Sequence, residues 1–261
     1  MQLSLQHRHA LVGGGSQGIG KAAAIELALL GADVTLVSRT ESELIKAVAE
    51  LDTSLGQRHS YLTVDFSDTE ALKRAVSGLV AEHPVHILVN NTGGPPPGPA
   101  HQSDPEAFAS AFALHLLSGQ TLVRTVVPGM KAAGYGRIVN VISTSVKQPL
   151  DNLGVSNTIR GAVANWAKTL ANELAAFGIT VNNVLPGATR TGRLAQIIRN
   201  QSEKKQLSEA EVVAEMEHEV PARRLGEPHE IGAAVAFLAS PAAAYINGVN
   251  LPVDGGRTKC L

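Results

Sequence analysis

The sequence predicts a single-domain α/β fold, a doubly wound parallel sheet of seven strands with helices on both faces. Three observations predict it. Short β-branched or aliphatic runs alternate with longer segments of 3.6-residue periodicity, and strands separated by helices imply right-handed βαβ crossovers and a parallel sheet covered on both sides. The first strand runs into the glycine cluster Gly13-Gly14-Gly15-Ser16-Gln17-Gly18-Ile19-Gly20 just where the first helix opens. The 261 residues hold no repeat, linker or break in composition, so one domain spans residues 1–261.

The strands are expected at 8–13, 33–38, 60–65, 86–91, 137–142, 179–184 and 248–252, each a compact run of Val, Ile and Leu. Between them, apolar residues recur with helical spacing over 18–30, 41–55, 68–82, 105–133, 155–177 and 227–239. The segment 188–222 differs: it is polar, rich in Arg, Lys and Glu, and falls between a strand and the last helix. An insertion beyond the carboxyl end of a strand is where such a fold places a substrate lid, and its Arg190, Arg193, Arg199, Lys204 and Lys205 suit an anionic substrate or else form a solvated helix face.

Composition excludes several function classes. With 44% hydrophobic residues and 25 Gly, the chain is neither disordered nor collagenous. Twenty-two basic against 23 acidic residues leave no global field to recruit polyanions, and 3% aromatics offer little for base stacking, so no nucleic-acid partner is expected. The one cysteine, Cys260, precludes an internal disulfide and suits a reducing cytoplasm. His7, Arg8 and His9 precede any apolar run, which argues against a secretory signal. The uncharged stretch Ile231–Val253 is broken by Pro241, Asn247, Gly248 and Asn250, so no membrane span is expected either. His83-Pro84-Val85-His86 has near-ligand spacing, but its proline and strand start argue against a metal pair, and no metal site is expected.

The glycine cluster points to a phosphate-bearing ligand. Glycines allow a sharp strand-to-helix turn and close approach of backbone to a pyrophosphate, while the helix amino terminus offers free N–H groups. The alternative is a mere tight turn. The second strand ends in Val37-Ser38-Arg39 without an acid. An acid there would hold the ribose 2′-hydroxyl of NAD, whereas Arg39 suits a 2′-phosphate and favours NADP(H) over NAD(H). A solvated strand-end arginine is the other reading.

Gly14-x-x-x-Gly18-x-Gly20, Asp65 after the third strand, Asn90-Asn91-Thr92-Gly93 after the fourth, Arg137-Ile138-Val139-Asn140, Pro186-Gly187-x-x-x-Thr191, and the run from Gly226-Glu227-Pro228 to Asp254-Gly255-Gly256 resemble the short-chain dehydrogenase/reductase family. They cover nearly the whole chain in order and look most like its 3-oxoacyl-carrier-protein reductase branch. The resemblance implies a Rossmann fold, a small-molecule substrate and a homodimer or homotetramer paired through the helices at 105–133 and 155–177. It also implies a cofactor site. Ser16, Gln17 and Ile19 would join the loop glycines, with Ser38 and Arg39 beyond the second strand. Asp65 and Phe66 would lie by the adenine, and Asn91 and Gly93 by the adenosine ribose. Arg160 would hold the nicotinamide ribose, and Pro186, Gly187, Thr189 and Thr191 the nicotinamide end. Asp65 as a turn former, Asn91 as a strand tie and Pro186-Gly187 as a strand stop are the plainer alternatives.

The chain departs from that family where the chemistry lies. The family's serine matches Ser143, but thirteen residues on, where tyrosine belongs, stands Ser156, and four further, in place of lysine, stands Arg160. The family's helix asparagine falls on His115. Tyr61, Tyr135 and Tyr245 are too far away to substitute. A serine hydroxyl can donate a hydrogen bond but is too weak an acid to release its proton alone, and a guanidinium stays charged. Imidazole titrates near neutral pH, so His115 is read as the proton source, directly or through water, while Ser143 and Ser156 polarise a carbonyl; a purely structural histidine on that helix is the alternative. These residues suggest an NADP(H)-dependent oxidoreductase with a non-standard proton donor, or alternatively a catalytically silent NADP-binding subunit. A lyase or dehalogenase on the same fold ranks last, because this chain keeps the glycine loop and loses the tyrosine.

Overall fold

The structure, a computed structural model, describes residues 1–260. Seven strands form one wholly parallel sheet in the order β3-β2-β1-β4-β5-β6-β7. They are β1 (His9–Gly13), β2 (Asp33–Ser38), β3 (His59–Thr63), β4 (Ile87–Asn90), β5 (Gly136–Val141), β6 (Ile179–Pro186) and β7 (Asn250–Val253). Strand order reverses between β1 and β4, which opens a crevice at their carboxyl ends, where ligands bind in open α/β sheets.

Side chains alternate across a strand, and each face collects its own helices. Ala10, Val12, Leu36, Val89 and Val139 pack with α1 (Gly18–Leu29), α2 (Glu41–Ala49) and α9 (Pro228–Ala239). Leu11, Val37, Leu88, Ile138 and Val181 pack with α3 (Thr69–Glu82), α5 (Ser118–Ala133) and α6 (Gly154–Leu174).

Several expected elements are shorter or broken. The helix over 105–133 is α4 (Pro105–Phe112), a π-helical turn over Ala113–Leu117 that carries His115, and then α5. The helix over 155–177 ends at Leu174 and tightens into a 3₁₀ turn before Gly178, whose φ of 72° starts the reversal into β6. The expected helix over 41–55 ends at Ala49. Segment 188–222 is not irregular but folds as α7 (Gly192–Lys205), capped by Thr191, and α8 (Glu209–Glu219), opened by a Ser208–Glu211 capping box. No helix among the described residues is long and apolar enough to cross a membrane.

Four asparagines lie in register across β4–β7. Asn90 Nδ2 donates to Asn140 Oδ1, Asn140 Nδ2 to Asn183 Oδ1, and Asn183 Nδ2 to Asn250 Oδ1, each at 2.8 Å. Their strand pairings match: Asn90 opposite Asn140, Asn140 opposite Asn183, Asn183 opposite Asn250. Since Asn140 is 1% exposed, Asn140→Ala would leave a donor and an acceptor buried without partners. That substitution should cost about 2–4 kcal/mol of stability by urea unfolding.

Candidate active site

The glycine loop is held open for a ligand by close backbone packing. Gly14 and Gly18 have φ of 57° and 56°. A Cβ on Gly14 would lie 2.7 Å from Asn91 Nδ2, and one on Gly20 would lie 2.2 Å from the Gly14 carbonyl oxygen. Asn91 Nδ2 in turn donates to Gly13 O at 3.2 Å. Asn91 therefore ties the end of β4 to the loop after β1. Helix α1 begins after Gln17 with no side-chain cap and no acid in its first turn, so its leading N–H groups remain available to an anion. These features fit a dinucleotide's pyrophosphate. Gly18 faces Thr191, whose Cγ2 would be 3.5 Å from an added Cβ, so the loop after β6 closes the other side of the crevice.

At the far end of the crevice, Arg39 is exposed, its side chain 76% accessible, and Nη1 stands 3.8 Å from Asp65 Oδ2. Asp65 is organised mainly by Ser67, whose backbone N–H and hydroxyl each donate to Oδ1 at 2.8 Å. The Ser67 N–H leads in holding this carboxyl below its ordinary range. Ser38 Oγ is buried without a partner. The side chain of Phe66 is core, packed under Gly13, so any cofactor contact from Phe66 falls to its backbone.

Thr189 Oγ1 donates to Gly187 O at 3.0 Å, while Thr191 caps α7 by accepting from Leu194 N at 3.3 Å. Both threonines thus have structural duties besides any cofactor contact. Gly187 passes so close to β7 that an added Cβ would stand 2.7 Å from Asp254 Cα. Gly93 has open space around it.

The chemical end is built on β5, α6 and the π turn. Ser143 follows β5 and accepts from Ser145 N at 3.1 Å. Ser156 is half-buried on the first turns of α6, one helical turn before Arg160. No hydrogen bond joins the two serines among the described residues. Arg160 is 8% exposed, and its Nη1 donates to Val141 O at 2.9 Å. Burial, reinforced by Arg193, lowers its guanidinium to about 10, which leaves it charged at pH 7.

His115 departs from the expectation of a group titrating near neutrality. It is 7% exposed, and Thr92 Oγ1 lies 2.5 Å from Nδ1. Desolvation, then the charges of Arg160 and Arg193, push it down to about 3, so its imidazole is neutral at pH 7 and stores no proton. Its Nε2, Asn90 Oδ1 and Arg160 Nε are buried without protein partners. All three residues line one cavity of about 20 Å³, large enough for a single water.

The structure thus brings His115 and Arg160 to one cavity, and Gly14, Gly20 and Asn91 to one contact. Thr92, Asn140, Asn183 and Asn250 are participants that sequence reasoning did not single out. Arg193 was read only as one of five lid cations that suit an anionic substrate or a solvated helix face, and the row had a signal in the asparagine present in each of four expected strands.

The sign of the pH effect follows from His115. Its folded value near 3 lies below the unfolded 6.5, so the unfolded chain binds the extra proton between them. Its contribution is fully present above about pH 6.5 and is lost as pH falls towards 3. Wild type should lose about 2 kcal/mol through His115 between pH 7.5 and pH 5, and His115→Asn should remove that share of the slope in denaturation curves.

Known proteins match this architecture over its whole length. Residues 14–258 match the family model described as enoyl-(acyl carrier protein) reductase. A chloroplastic tropinone reductase homolog of Arabidopsis thaliana is 36% identical over 258 residues, 98% of this chain and 77% of its own. The 3-oxoacyl-(acyl-carrier-protein) reductase FabG of Vibrio cholerae is 35% identical over 257 residues, covering 97% of this chain and 98% of its own. The crystal structure of L-sorbose reductase from Gluconobacter frateurii, complexed with NADPH and L-sorbose, superposes with a TM-score of 0.94 over 100% of both chains at 29% identity. With the parallel sheet and the glycine loop beneath its switch point, these matches place the chain in the short-chain dehydrogenase/reductase family of oxidoreductases.

Proposed function

We propose that the protein is an NADP(H)-dependent oxidoreductase that reduces the carbonyl of a small oxo compound, 3-oxoacyl thioesters included, or oxidises the corresponding secondary alcohol. The observation that carries this reading is the glycine cradle closed on Asn91 and aimed at an uncapped helix start, with Arg39 rather than an acid at the end of β2. The NADPH in the sorbose reductase structure supports the same cofactor class.

A nicotinamide bound in this crevice supplies or accepts the hydride. Ser143 and Ser156 donate hydrogen bonds to the carbonyl oxygen, and the Arg160 charge stabilises the oxyanion that develops there. Neutral His115 passes a proton between Thr92 Oγ1 at Nδ1 and the small cavity at Nε2, and solvent is the ultimate source. This relay replaces the stored proton expected of an imidazolium. In the same reading Gly14, Ser16, Gln17, Gly18, Ile19 and Gly20 hold the pyrophosphate, and Ser38 and Arg39 the 2′-phosphate. Segment 188–222, now α7 and α8, is the substrate lid, and Arg193 Nη2 latches it to Pro95 O at 2.8 Å. Phe112 on α4 and Leu117 on the π turn are exposed apolar residues that suit pairing in a homodimer or homotetramer. The single cysteine suits the cytoplasm.

NADPH fluorescence in the presence of ketones and 3-oxoacyl thioesters tests the reading. Immediate binding followed by decay is expected, whereas binding without decay on any substrate would favour the silent NADP-binding subunit. Arg39→Asp should weaken NADPH binding about tenfold or more and leave NADH binding within about twofold. Equal loss of both cofactors would place the 2′-phosphate elsewhere.

A further inference from the structure

We propose that Arg160 and Arg193 form an anion site that holds the carboxylate of the substrate, so that the reductase acts on an oxo acid. The substrate class rests on the reductase reading, but the anion site itself does not. The two guanidinium groups come from different elements, the second turn of the site helix α6 and the first turn of the lid helix α7. They close on one glycine: a Cβ on Gly94 would lie 3.4 Å from Arg193 Nη2 and 3.7 Å from Arg160 Nη2.

Like charges so placed repel, and neither has a carboxylate within 4 Å among the described residues. Of the other lid cations, Arg190 and Lys205 are ion-paired, while the exposed Arg199 and Lys204 are not among the described residues. Arg190 pairs with Glu217 at 2.9 Å and Glu227 at 3.2 Å, and Lys205 pairs with Glu215 at 2.5 Å. Arg193 instead spends one nitrogen on Pro95 O at 2.8 Å, and Arg160 spends one on Val141 O at 2.9 Å. Arg160 is the stronger witness. It is more than nine-tenths buried, its Nε has no partner, and Arg193 is the one charged neighbour that shifts its titration.

A buried cation without a counter-ion is costly unless a bound anion completes it. The nitrogens beside Gly94 are Arg160 Nη2, which makes no protein hydrogen bond among the described residues, and Arg193 Nη2, which donates one N–H to Pro95 O and keeps a second. Two nitrogens presented from two sides match the two oxygens of a planar carboxylate. The position is also suitable for an oxo acid, because Arg160 sits one turn from Ser156 and lines the cavity shared with His115.

Titration calorimetry with malonate tests the site, both on the free protein and in the presence of saturating NADP⁺. Dimethyl malonate, inorganic phosphate and the variants Arg193→Met and Arg193→Lys provide the comparisons, and NADPH binding is measured separately on each protein. Arg193 is exposed, so both variants should fold, and retained NADPH affinity verifies it. Malonate should bind wild type, Arg193→Met should weaken it about tenfold to a hundredfold, and Arg193→Lys should recover part of the loss. Dimethyl malonate should not bind, and NADPH affinity should stay within about twofold. Malonate that ignores Arg193→Met, or phosphate that binds as tightly as malonate, would overturn the proposal. So would an equal loss of NADPH affinity, since Arg193 would then serve the cofactor's pyrophosphate. If NADPH fails to bind wild type while malonate binds in an Arg193-dependent way, the anion site stands and the cofactor reading falls.

Discussion

The row of asparagine side chains across β4–β7 is the constraint on which the rest of the site depends. Each amide donates to the next across a strand pair, so the row ties the register of four strands from the end of β4 to the start of β7. The neighbours of these residues then build the site. Asn91, next to Asn90, holds the glycine loop through Gly13 O, and Val141, next to Asn140, receives the Arg160 guanidinium. A slip by one residue in β5 would turn Asn140 to the other face, break its bonds to Asn90 and Asn183 and displace the carbonyl that receives Arg160. The row is satisfied along its length and leaves one acceptor, Asn90 Oδ1, facing the small cavity. A polar network inside a sheet is stable only when its members are paired, and here the unpaired end coincides with the chemistry.

Electrostatics at the chemical end follow from a buried arginine with no acid beside it. Arg160 raises the potential around His115, and together with desolvation this keeps the imidazole neutral. Positive charge in a water-poor cleft strengthens every interaction with an oxyanion that forms there. Where the family places an acidic tyrosine hydroxyl, this chain places the Ser156 hydroxyl, which is too weak an acid to release its proton alone, beside the permanent cation Arg160. In the proposed reaction proton delivery therefore rests on the His115 relay, and charge stabilisation is the protein's main contribution.

The fold was legible in the sequence because two signals agreed. Seven apolar runs of strand length separated by helical periods left a parallel sheet as the natural architecture, and the glycine cluster marked the first crossover. Boundaries were less legible where tertiary contacts override local pattern. The helix over 105–133 has continuous apolar spacing, yet a π turn at Ala113–Leu117 adds a residue and turns His115 inward. The polar segment 188–222 carried its helix signals in Thr191 and in the Ser208–Glu211 box, which its charge content obscured. The glycine loop was legible in its steric part, because glycine at Gly14 and Gly20 answers a packing demand that a sequence can record. The His115 environment was not, since neutrality at pH 7 arises from burial and from Arg160, forty-five residues away along the chain. Arg193 was likewise one charge among many until the fold set it against Gly94.

In the proposed reaction this site transfers hydride without the tyrosine and lysine of its family. The decisive measurement is mass spectrometry of product formed in a single turnover with NADPH carrying two deuteriums at C4, offered oxo acids and 3-oxoacyl thioesters. Deuterium at the former carbonyl carbon is the predicted result. Bound NADPH that keeps its deuterium with every one of these compounds would contradict it.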